Sequence, residues 1–336
     1  MGKNIHEIAA LSGVSIGTVS RVMNKRPGVH PETKKRVEEI VQKFGYQPSA
    51  MARGLKRQRS DTVMLLVPNL TDIYYAQLVN HLSQLVRQQG RRLLLGISDW
   101  DPAVEAGYLR QVADGAVDGL IVSPVGQTEN LPLYLELALR QFPVVAIEDP
   151  CVGIPFPTVK YNDVAGAADA VRYLIGKGHK RIAFCAANMQ IGTVRDRHQG
   201  YLEAHIQAGL PMNKQLILAN DTKDFCCWNC DKLIARIRAA NPPTALLAEN
   251  DFLALRIIRC LTDAGIKVPG DIAVVGFDNV YTPELLAMPL TSVSLPWQEL
   301  CRRTLEILIA RIEHPEIPAD NQPELLMPKL AKGKTA

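Results

Sequence analysis

The chain has 336 residues, of which 47% are hydrophobic and 21% are charged, a balance typical of globular proteins with a sizeable core. At roughly 100–200 residues per domain, this length allows two or three domains. No apolar run approaches the roughly 18 residues that a membrane span needs, and the first residues show no signal-peptide pattern, so we expect a cytoplasmic protein. The seven cysteines are odd in number and irregularly spaced, which favours reduced thiols over a disulfide framework.

The net charge of +4 is unevenly distributed along the chain. Residues 1–60 hold 12 Lys and Arg against 4 Asp and Glu, whereas the remaining residues hold 26 against 30. A basic head on a mildly acidic body is typical of a nucleic-acid-binding protein. A solubilising tail would also be basic, but this head carries helical patterns.

The first residues predict two short helices joined by a tight turn. Asn4 caps the first helix, and Glu7, three residues later, completes a capping box. Gly13 suits the left-handed position that ends this helix, and Ser15 caps the second one. Two short helices with a glycine in the turn between them predict a helix-turn-helix.

A third helix is predicted to follow, with Pro31 in its first turn and Gly45 at its end. Its apolar stripe consists of Val37, Ile40, Val41 and Phe44. We therefore predict an all-α helix-turn-helix domain over residues 1–46.

The second helix turns Val19, Val22 and Met23 to the core and leaves its other face free. Hydroxyls and helix N-terminal amides hold phosphates, an arginine can bind guanine O6 and N7, and an isoleucine can meet a thymine methyl. A glycine contributes no side-chain readout but lets the backbone come close to the groove. The predicted DNA contacts of this domain are Ser15, Ile16, Gly17, Thr18, Ser20, Arg21, Asn24 and Tyr46.

The stretch GYQPSAMARGLKRQRS, residues 45–60, predicts a helix of about two turns that begins near Pro48 and Ser49. A helix this short is unstable alone in water, so we expect it to fold only when something supports it. Leu55 is its largest apolar residue and lies among arginines and a lysine, which suits a wedge between base steps in a minor groove. A flexible basic linker would have the same composition, and the sequence alone does not separate the two.

The motif IHEIAALSGVSIGTVSRVMN, followed by GYQPSAMARGL, resembles the LacI/GalR family of bacterial transcriptional regulators. The resemblance implies a homodimer that binds near-palindromic double-stranded operator DNA, with recognition helices in successive major grooves. It also implies that two hinge helices, within residues 47–61, fold together at the operator centre, where Leu55 intercalates. Ala52 and Lys56 are the further contacts expected there. His30 departs from the family, which usually caps the third helix with a small hydroxyl residue.

From Thr62 onward, apolar runs alternate with helical stretches, which predicts α/β architecture with parallel sheets covered on both faces. Eight or so strands suit two Rossmann-like units better than one. The resemblance implies a periplasmic-binding-protein-like core, two lobes joined by three crossovers, which we place at residues 62–330. The first lobe is expected at about 62–160 and 291–318, and the second at about 161–290 and 319–330.

Ligands in open α/β sheets lie at the carboxyl ends of strands, so the residues just past each apolar run are the candidates for an effector site. Tyr74 could stack on a sugar face or a base, while Tyr75 suits the core equally well. The resemblance implies that Arg197, three residues before a glycine, contacts the effector. Of two aspartates that follow strands, we favour a ligand role for Asp278 and helix capping for Asp251. The predicted effector residues are Asp72, Tyr74, Tyr75, Glu148, Arg197, Asn250 and Asp278.

Carboxylates, an amide and an arginine around one cleft can satisfy many hydroxyls at once. We therefore expect a sugar, sugar acid or sugar phosphate as effector, with a nucleoside or purine as the alternative. The leading function is repression of a carbohydrate-utilisation operon. A solute-binding protein is disfavoured by the basic helical head, and a sugar enzyme by the lack of a G-x-G-x-x-G, a P-loop and a nucleophile elbow.

The cluster CCWNC, Cys226 to Cys230, contains one CxxC pair, and no second cysteine or histidine pair lies nearby. Because zinc sites need four ligands, we expect buried thiols here rather than a metal site, and we expect no cofactor. The C-terminal tail has no heptads, so nothing predicts a coiled-coil tetramer.

Overall fold

The computed structural model describes residues 3–24, 26–46, 60–125, 128–148, 153, 156–219, 228–281, 288–316 and 321–336. The chain divides into two compact units, residues 1–61 and residues 62–336. Within the described ranges, no helix is long and apolar enough to cross a membrane.

The helices of the described part are α1 (Ile5–Ser12), α2 (Ile16–Met23), α3 (Pro31–Phe44), α4 (Ile73–Gln88), α5 (Pro102–Ala113), α6 (Leu131–Leu139), α7 (Asp163–Gly176), α8 (Gly192–Gln207), α9 (Cys230–Arg238), α10 (Asp251–Asp263) and α11 (Trp297–Glu313). Its strands are β1 (Thr62–Val67), β2 (Arg92–Ile97), β3 (Gly119–Val122), β4 (Val144–Ile147), β5 (Thr158–Tyr161), β6 (Ile182–Ala186), β7 (Ile217–Ala219), β8 (Ala245–Ala248), β9 (Ala273–Asp278), β10 (Thr291–Ser294), β11 (Glu324–Leu326) and β12 (Lys329–Ala331).

The first unit contains α1, α2 and α3, and its turns follow the sequence prediction. Both hydrogen bonds of the capping box are present, since Glu7 N donates to Asn4 Oδ1 at 3.0 Å and Asn4 N donates to Glu7 Oε2 at 2.9 Å. Gly13 ends α1 with a φ of +62°, a conformation that favours glycine. Ser15 Oγ accepts from Thr18 N at 3.2 Å and caps α2. These contacts confirm the predicted caps of the helix-turn-helix.

A small apolar core joins the three helices of this unit. Its fully buried members are Ile8, Ala9, Val19, Val22 and Val37, and Met23, Ile40 and Val41 pack partly against them. The predicted stripe of α3 is wrong at its last position, because Phe44 is 37% exposed. Phe44 is the last residue of the helix, and Lys43 Nζ lies 5.7 Å from the centre of its ring.

The second unit contains two six-stranded sheets, each covered by helices. The first sheet has the order β11-β5-β4-β3-β1-β2 and is parallel throughout. The second has the order β12-β10-β9-β8-β6-β7, in which only β12 runs antiparallel. Apart from the edge strand from the C-terminal region, each sheet has the doubly wound order 2-1-3-4-5. The first sheet with α4, α5, α6 and α11 forms the first lobe, and the second sheet with α7 to α10 forms the second lobe.

The chain crosses between the lobes three times, and two of these crossings differ from the expected boundaries. Residues 291–294 were expected in the first lobe, but β10 pairs with β9 in the second sheet, with Ser292 opposite Gly276. Its hydroxyls serve buried groups there, since Ser292 Oγ donates to Asp251 Oδ1 at 2.5 Å. Residues 324–326 were expected in the second lobe, but β11 pairs with β5 in the first sheet. The three crossings therefore lie between β5 and α7, between β10 and α11, and between β11 and β12.

The expected end of the core at residue 330 is also too early. Thr335 is fully buried, and its hydroxyl donates to Val274 O at 2.7 Å while accepting from Thr291 N at 2.8 Å. Tyr173 OH donates to Ala336 O at 3.1 Å. The last residues therefore satisfy backbone groups at the edge of the second lobe and belong to it.

One pair of cysteines contradicts the expectation of reduced thiols. Cys230, the first residue of α9, and Cys260 of α10 form a disulfide with 6.2 Å between their Cα atoms. The two helices pack against each other and so bring together residues 30 positions apart. Cys185 and Cys301 are buried free thiols. The other two cysteines of the CCWNC cluster lie outside the described residues.

Candidate functional site

The free face of α2 presents the predicted DNA contacts at both ends of the helix. Ser15, Ile16, Gly17, Arg21 and Asn24 are exposed, Ile16 to 41%, while Thr18 and Ser20 are half-buried. Ser15 Oγ and Thr18 Oγ1 lie 3.0 Å apart and share a hydrogen bond at the N-terminus, the end of a helix that attracts phosphates. The arrangement thus offers two hydroxyls in the N-terminal turn and an exposed arginine about one turn further along.

Two predicted contacts have structural roles as well. Asn24 follows the last residue of α2, and its Nδ2 donates to Ser20 O at 2.7 Å. Tyr46 is half-buried and packs against the core of the three helices. The hinge contacts Ala52, Leu55 and Lys56 lie outside the described residues.

A cleft of about 500 Å³, part of it open to solvent, lies between the two lobes at the carboxyl ends of their strands. All seven residues predicted to bind an effector line it. Its further lining residues are Trp100, Ile191, Thr193, Val194 and Glu249. Trp100, Glu148 and Asp278 have positive φ angles of 57°, 64° and 100°, and such backbone strain in non-glycine residues is concentrated at functional sites.

A carboxylate and a tyrosine are tied together in the first-lobe wall. Tyr75 OH donates to Glu148 Oε2 at 2.9 Å, and Ser123 Oγ donates to the same oxygen at 2.7 Å. Burial raises the pKa of Glu148, and the two hydroxyls and Arg197 act in the opposite direction. Glu148 is therefore held in place before any ligand arrives.

Tyr74 and Tyr75 are both buried, 4% and 7% exposed, so the distinction drawn between them from the sequence does not hold in the structure. Tyr74 OH donates to Tyr161 OH at 3.1 Å, and the Tyr74 ring meets Tyr75 and Tyr161 edge-on. Asp72 caps the same helix, because its Oδ1 accepts from Tyr74 N at 3.0 Å. Both tyrosines thus line the cleft and belong to the core.

Arg197 is the central cation of the second-lobe wall. Its Nε lies 2.7 Å from Asp163 Oδ1 and its Nη2 lies 3.1 Å from Asp278 Oδ1. Its Nη1 donates to Glu249 O, and its guanidinium carbon lies 4.0 Å from the centre of the Phe277 ring. The two carboxylates raise the pKa of Arg197 further, against the effect of burial, so it stays charged.

The roles of Asn250 and Asp251 differ in part from those predicted from the sequence. Asn250 lines the cleft but also caps α10, since its Oδ1 accepts from Leu253 N at 2.9 Å. Asp251 is therefore not the cap. Its Oδ2 accepts from Val280 N at 3.1 Å, and its other oxygen accepts from Ser292, so it joins α10 to the loop after β9 and to β10. The structural role expected for Asp251 is present, but its form is different.

Glu249 lines the cleft and was missed by the sequence analysis. It is 1% exposed, and burial together with the charge of Asp72 raises its pKa to about 8. The signal was available, because Glu249 follows β8 directly and so obeys the same strand-end rule as its neighbour Asn250.

Two family models match the chain: bacterial regulatory proteins of the lacI family over residues 4–49, and a periplasmic binding protein-like domain over residues 171–336. The chain is 32% identical to the HTH-type transcriptional repressor PurR of Aliivibrio fischeri (strain ATCC 700601 / ES114), over 96% of each chain. It is 32% identical to catabolite control protein A of Priestia megaterium, over 92% of each chain. This chain belongs to the LacI family.

Solved LacI-family structures share the whole architecture. The transcriptional regulator CelR in its cellobiose complex is 28% identical, with a TM-score of 0.70 over 99% of this chain and 100% of that one. The Lac repressor dimer bound to operator is 22% identical, with a TM-score of 0.83 over 100% and 99%, which shows the fold alone. As a LacI-family member, the chain is a DNA-binding transcriptional regulator with an N-terminal helix-turn-helix and a periplasmic-binding-protein-like core, as the sequence predicted.

Proposed function

We propose that this LacI-family regulator is a dimeric, cytoplasmic repressor that binds a near-palindromic operator and is controlled by a small molecule held between its lobes. The observation that carries the proposal is the cleft, where polar groups of both lobes meet at the carboxyl ends of two doubly wound sheets. A ligand that contacts both walls changes the relative stability of open and closed arrangements. It can then change operator affinity only by its differential affinity for those arrangements.

A carbohydrate-derived effector fits the cleft better than a nucleoside. CelR, one of the solved relatives, is described in complex with cellobiose. Tyr74, the residue expected from the sequence to stack on a base, is buried and flanked edge-on by two other tyrosines. Glu148, Asp278 and Asn250 instead offer oxygen atoms that can accept from hydroxyls.

We also propose that the chain acts by binding and not by turnover. The polar groups of the cleft hold each other, since Glu148 accepts from two hydroxyls and Arg197 donates to two carboxylates. The relatives described above are named as regulators and not as enzymes. Turnover of any bound carbohydrate by the purified chain would contradict this assignment.

The DNA-binding part is tested by selecting bound sequences from a random double-stranded library with the full chain. We expect enrichment of a near-palindrome, because a dimer presents two recognition helices to half-sites one or more helical turns apart. Arg21→Ala should relax the base preference at one position of each half-site, whereas Arg36→Ala, on an exposed part of α3, should not. Failure to enrich any sequence, or an unchanged preference in Arg21→Ala, would overturn the assignment of α2.

The effector part is tested by thermal shift against carbohydrates and nucleosides, followed by titration of the selected operator. A ligand stabilises the folded chain by about RT ln(1 + [L]/Kd). We expect a binder that also changes operator affinity. A binder without any effect on operator affinity would refute control through the cleft.

A further inference from the structure

Glu249 and Glu105 are both 1% exposed, yet they differ in their hydrogen bonds. Glu105, in the first lobe outside the cleft, accepts from Tyr134 OH at 2.7 Å and Val125 N at 2.8 Å. Within the part of the chain that the structure describes, neither carboxylate oxygen of Glu249 accepts a hydrogen bond. The nearby amides of Ala187 and Asn188 lower its pKa in part, but neither reaches it with hydrogen-bond geometry. Because buried carboxylates need donors, the side chain of Glu249 is incomplete without a ligand.

The backbone of Glu249 is held in place at the wall of the cleft. Its N donates to Cys185 O at 2.8 Å, and its O accepts from Arg197 Nη1. Asn250, the next residue, begins α10 with a side-chain cap. Glu249 is therefore fixed on both sides and lines the cleft as a preformed acceptor.

The charges around Glu249 are unbalanced. Among the described residues that line the cleft, Asp72, Glu148, Glu249 and Asp278 are acidic and Arg197 is the one cation. That guanidinium is already shared between Asp163 and Asp278. A phosphate or carboxylate on the ligand would add negative charge to a site that already has an excess of acidic groups.

Asp72 belongs to the first lobe and Glu249 to the second, and the charge of Asp72 disfavours the ionised form of Glu249. The charge of Asp72 raises the pKa of both Glu249 and Asp278. A positive group between Asp72 and Glu249 would offset the charge of Asp72, favour the ionised form of Glu249 and supply the donors that its carboxylate lacks.

We propose that the effector carries a basic amine, and that Glu249 and Asp72 bind this ammonium group between the lobes. The proposal rests on the proposed function of the cleft and narrows its ligand class to amine-bearing carbohydrates or related polyols. An ammonium group has three donors, which matches an acceptor-rich wall. Among the residues that the structure describes, no three His, Cys, Asp or Glu side chains are placed to hold a metal ion, so an organic cation fits this wall better.

The experiment measures dissociation constants of the full chain for matched probes: aminohexoses, their parent hexoses and the corresponding hexose phosphates. We expect at least one aminohexose to bind about tenfold more tightly than its parent hexose at a pH where the amine is protonated, as for a hydrogen bond to a charged group. The hexose phosphates should bind more weakly than their parents. Asp72→Asn should reduce the preference while keeping the helix cap, because asparagine caps as well as aspartate.

Glu249→Gln keeps the size of the side chain and removes its charge, so the preference for the amine probes should fall, with the remainder due to Asp72. Glu105→Gln is the matched control, since it neutralises an equally buried carboxylate outside the cleft, and it should keep the preference. Equal binding of amines and parent hexoses by the wild type, tighter binding of phosphates, or an unchanged preference in Glu249→Gln would overturn the proposal. If a neutral or anionic ligand nevertheless controlled operator binding, the amine proposal would fail and the proposed function would stand. Binding of none of the probes would also overturn the amine proposal. The proposed function would be overturned only if the chain also failed to select an operator sequence.

Discussion

Arg197 Nε and Asp163 Oδ1 lie 2.7 Å apart, and this ion pair joins α8 to the first residue of α7 inside the second lobe. The two side chains are 9% and 1% exposed. The same arginine reaches Asp278 at the end of β9, so one guanidinium connects two helices, a strand and the wall of the cleft. Its removal should therefore change stability as well as ligand binding.

Arg197→Met should lower the free energy of unfolding by about 3–5 kcal/mol, because it leaves buried carboxylates without a cation. Adding Asp163→Asn to this variant should restore part of the loss, since one stranded charge is then removed. Denaturant unfolding of the wild type, both single variants and the double variant measures the coupling. If Asp163→Asn lowers stability equally in both backgrounds, the ion pair is not the source of the effect.

The pKa of Glu249 predicts how stability depends on pH. Its folded value of about 8 lies above its ordinary value, so the folded chain holds a proton that the unfolded chain loses. The free energy of unfolding should therefore fall as pH rises from about 5 to about 8, with a contribution from Glu249 of about 3 kcal/mol. In Glu249→Gln this contribution is absent, so the variant should gain stability relative to the wild type as pH rises. Asp251, with a pKa of about 7, keeps some slope in both proteins, and identical slopes would contradict the prediction.

A substitution at Gly17 should change helix stability and DNA affinity in opposite directions. A Cβ atom at this position would lie 3.7 Å from Ser15 Oγ, an ordinary contact, so Gly17→Ala fits the folded domain. The substitution should stabilise α2 by up to about 1 kcal/mol. If the backbone must come close to the groove, it should nevertheless weaken binding to the selected operator. Thermal unfolding and operator titration measure the two effects. Unchanged operator affinity would show that a methyl group at position 17 does not hinder the contact of the backbone with the groove.

Gly200 and Gly107 form a matched pair of helical glycines. A Cβ atom at Gly200 would lie 2.1 Å from Val164 O, so Gly200→Ala must push α7 and α8 apart and should cost more than about 2 kcal/mol. A Cβ atom at Gly107, in α5, would meet nothing within 4 Å. Gly107→Ala should therefore raise stability by about 0.5–1 kcal/mol. Equal effects of the two substitutions in denaturant unfolding would contradict the close packing of α7 on α8.

Leu55→Ala tests the wedge predicted from the sequence. The variant should lose specific operator affinity and keep most of the salt-dependent nonspecific binding, because the neighbouring arginines and Lys56 remain. Operator titrations at several salt concentrations measure both terms. Equal operator affinity of variant and wild type would favour the flexible basic linker.

Local structural features that depend on neighbouring residues are predicted well from the sequence. The capping box of Asn4 and Glu7 and the left-handed Gly13 are present because they depend on contacts within one turn. The cleft residues follow from one topological rule, that parallel strands end at the same edge of a sheet. Glu249 obeys that rule but was overlooked beside Asn250, because a sequence does not show which carboxylate lacks a donor.

Contacts between residues far apart in the sequence are harder to predict. A short run such as TSVS, residues 291–294, does not show which sheet it joins, and the pairing of β10 with β9 depends on Ser292 meeting Asp251. The disulfide between Cys230 and Cys260 depends on two helices packing side by side, which spacing does not reveal. Phe44 fits a helical stripe by periodicity, but the stripe is longer than the core that it faces.

The late position of α11 and β11 has a consequence for protein synthesis. Both belong to the first lobe, yet the ribosome makes them after the strands of the second lobe from β6 to β10. During translation the first sheet must wait, with one edge unpaired and one face only partly covered by α4, while nearly all of its partner is assembled. The helix-turn-helix has no such delay, so each nascent chain presents a folded recognition helix before its sensor is complete.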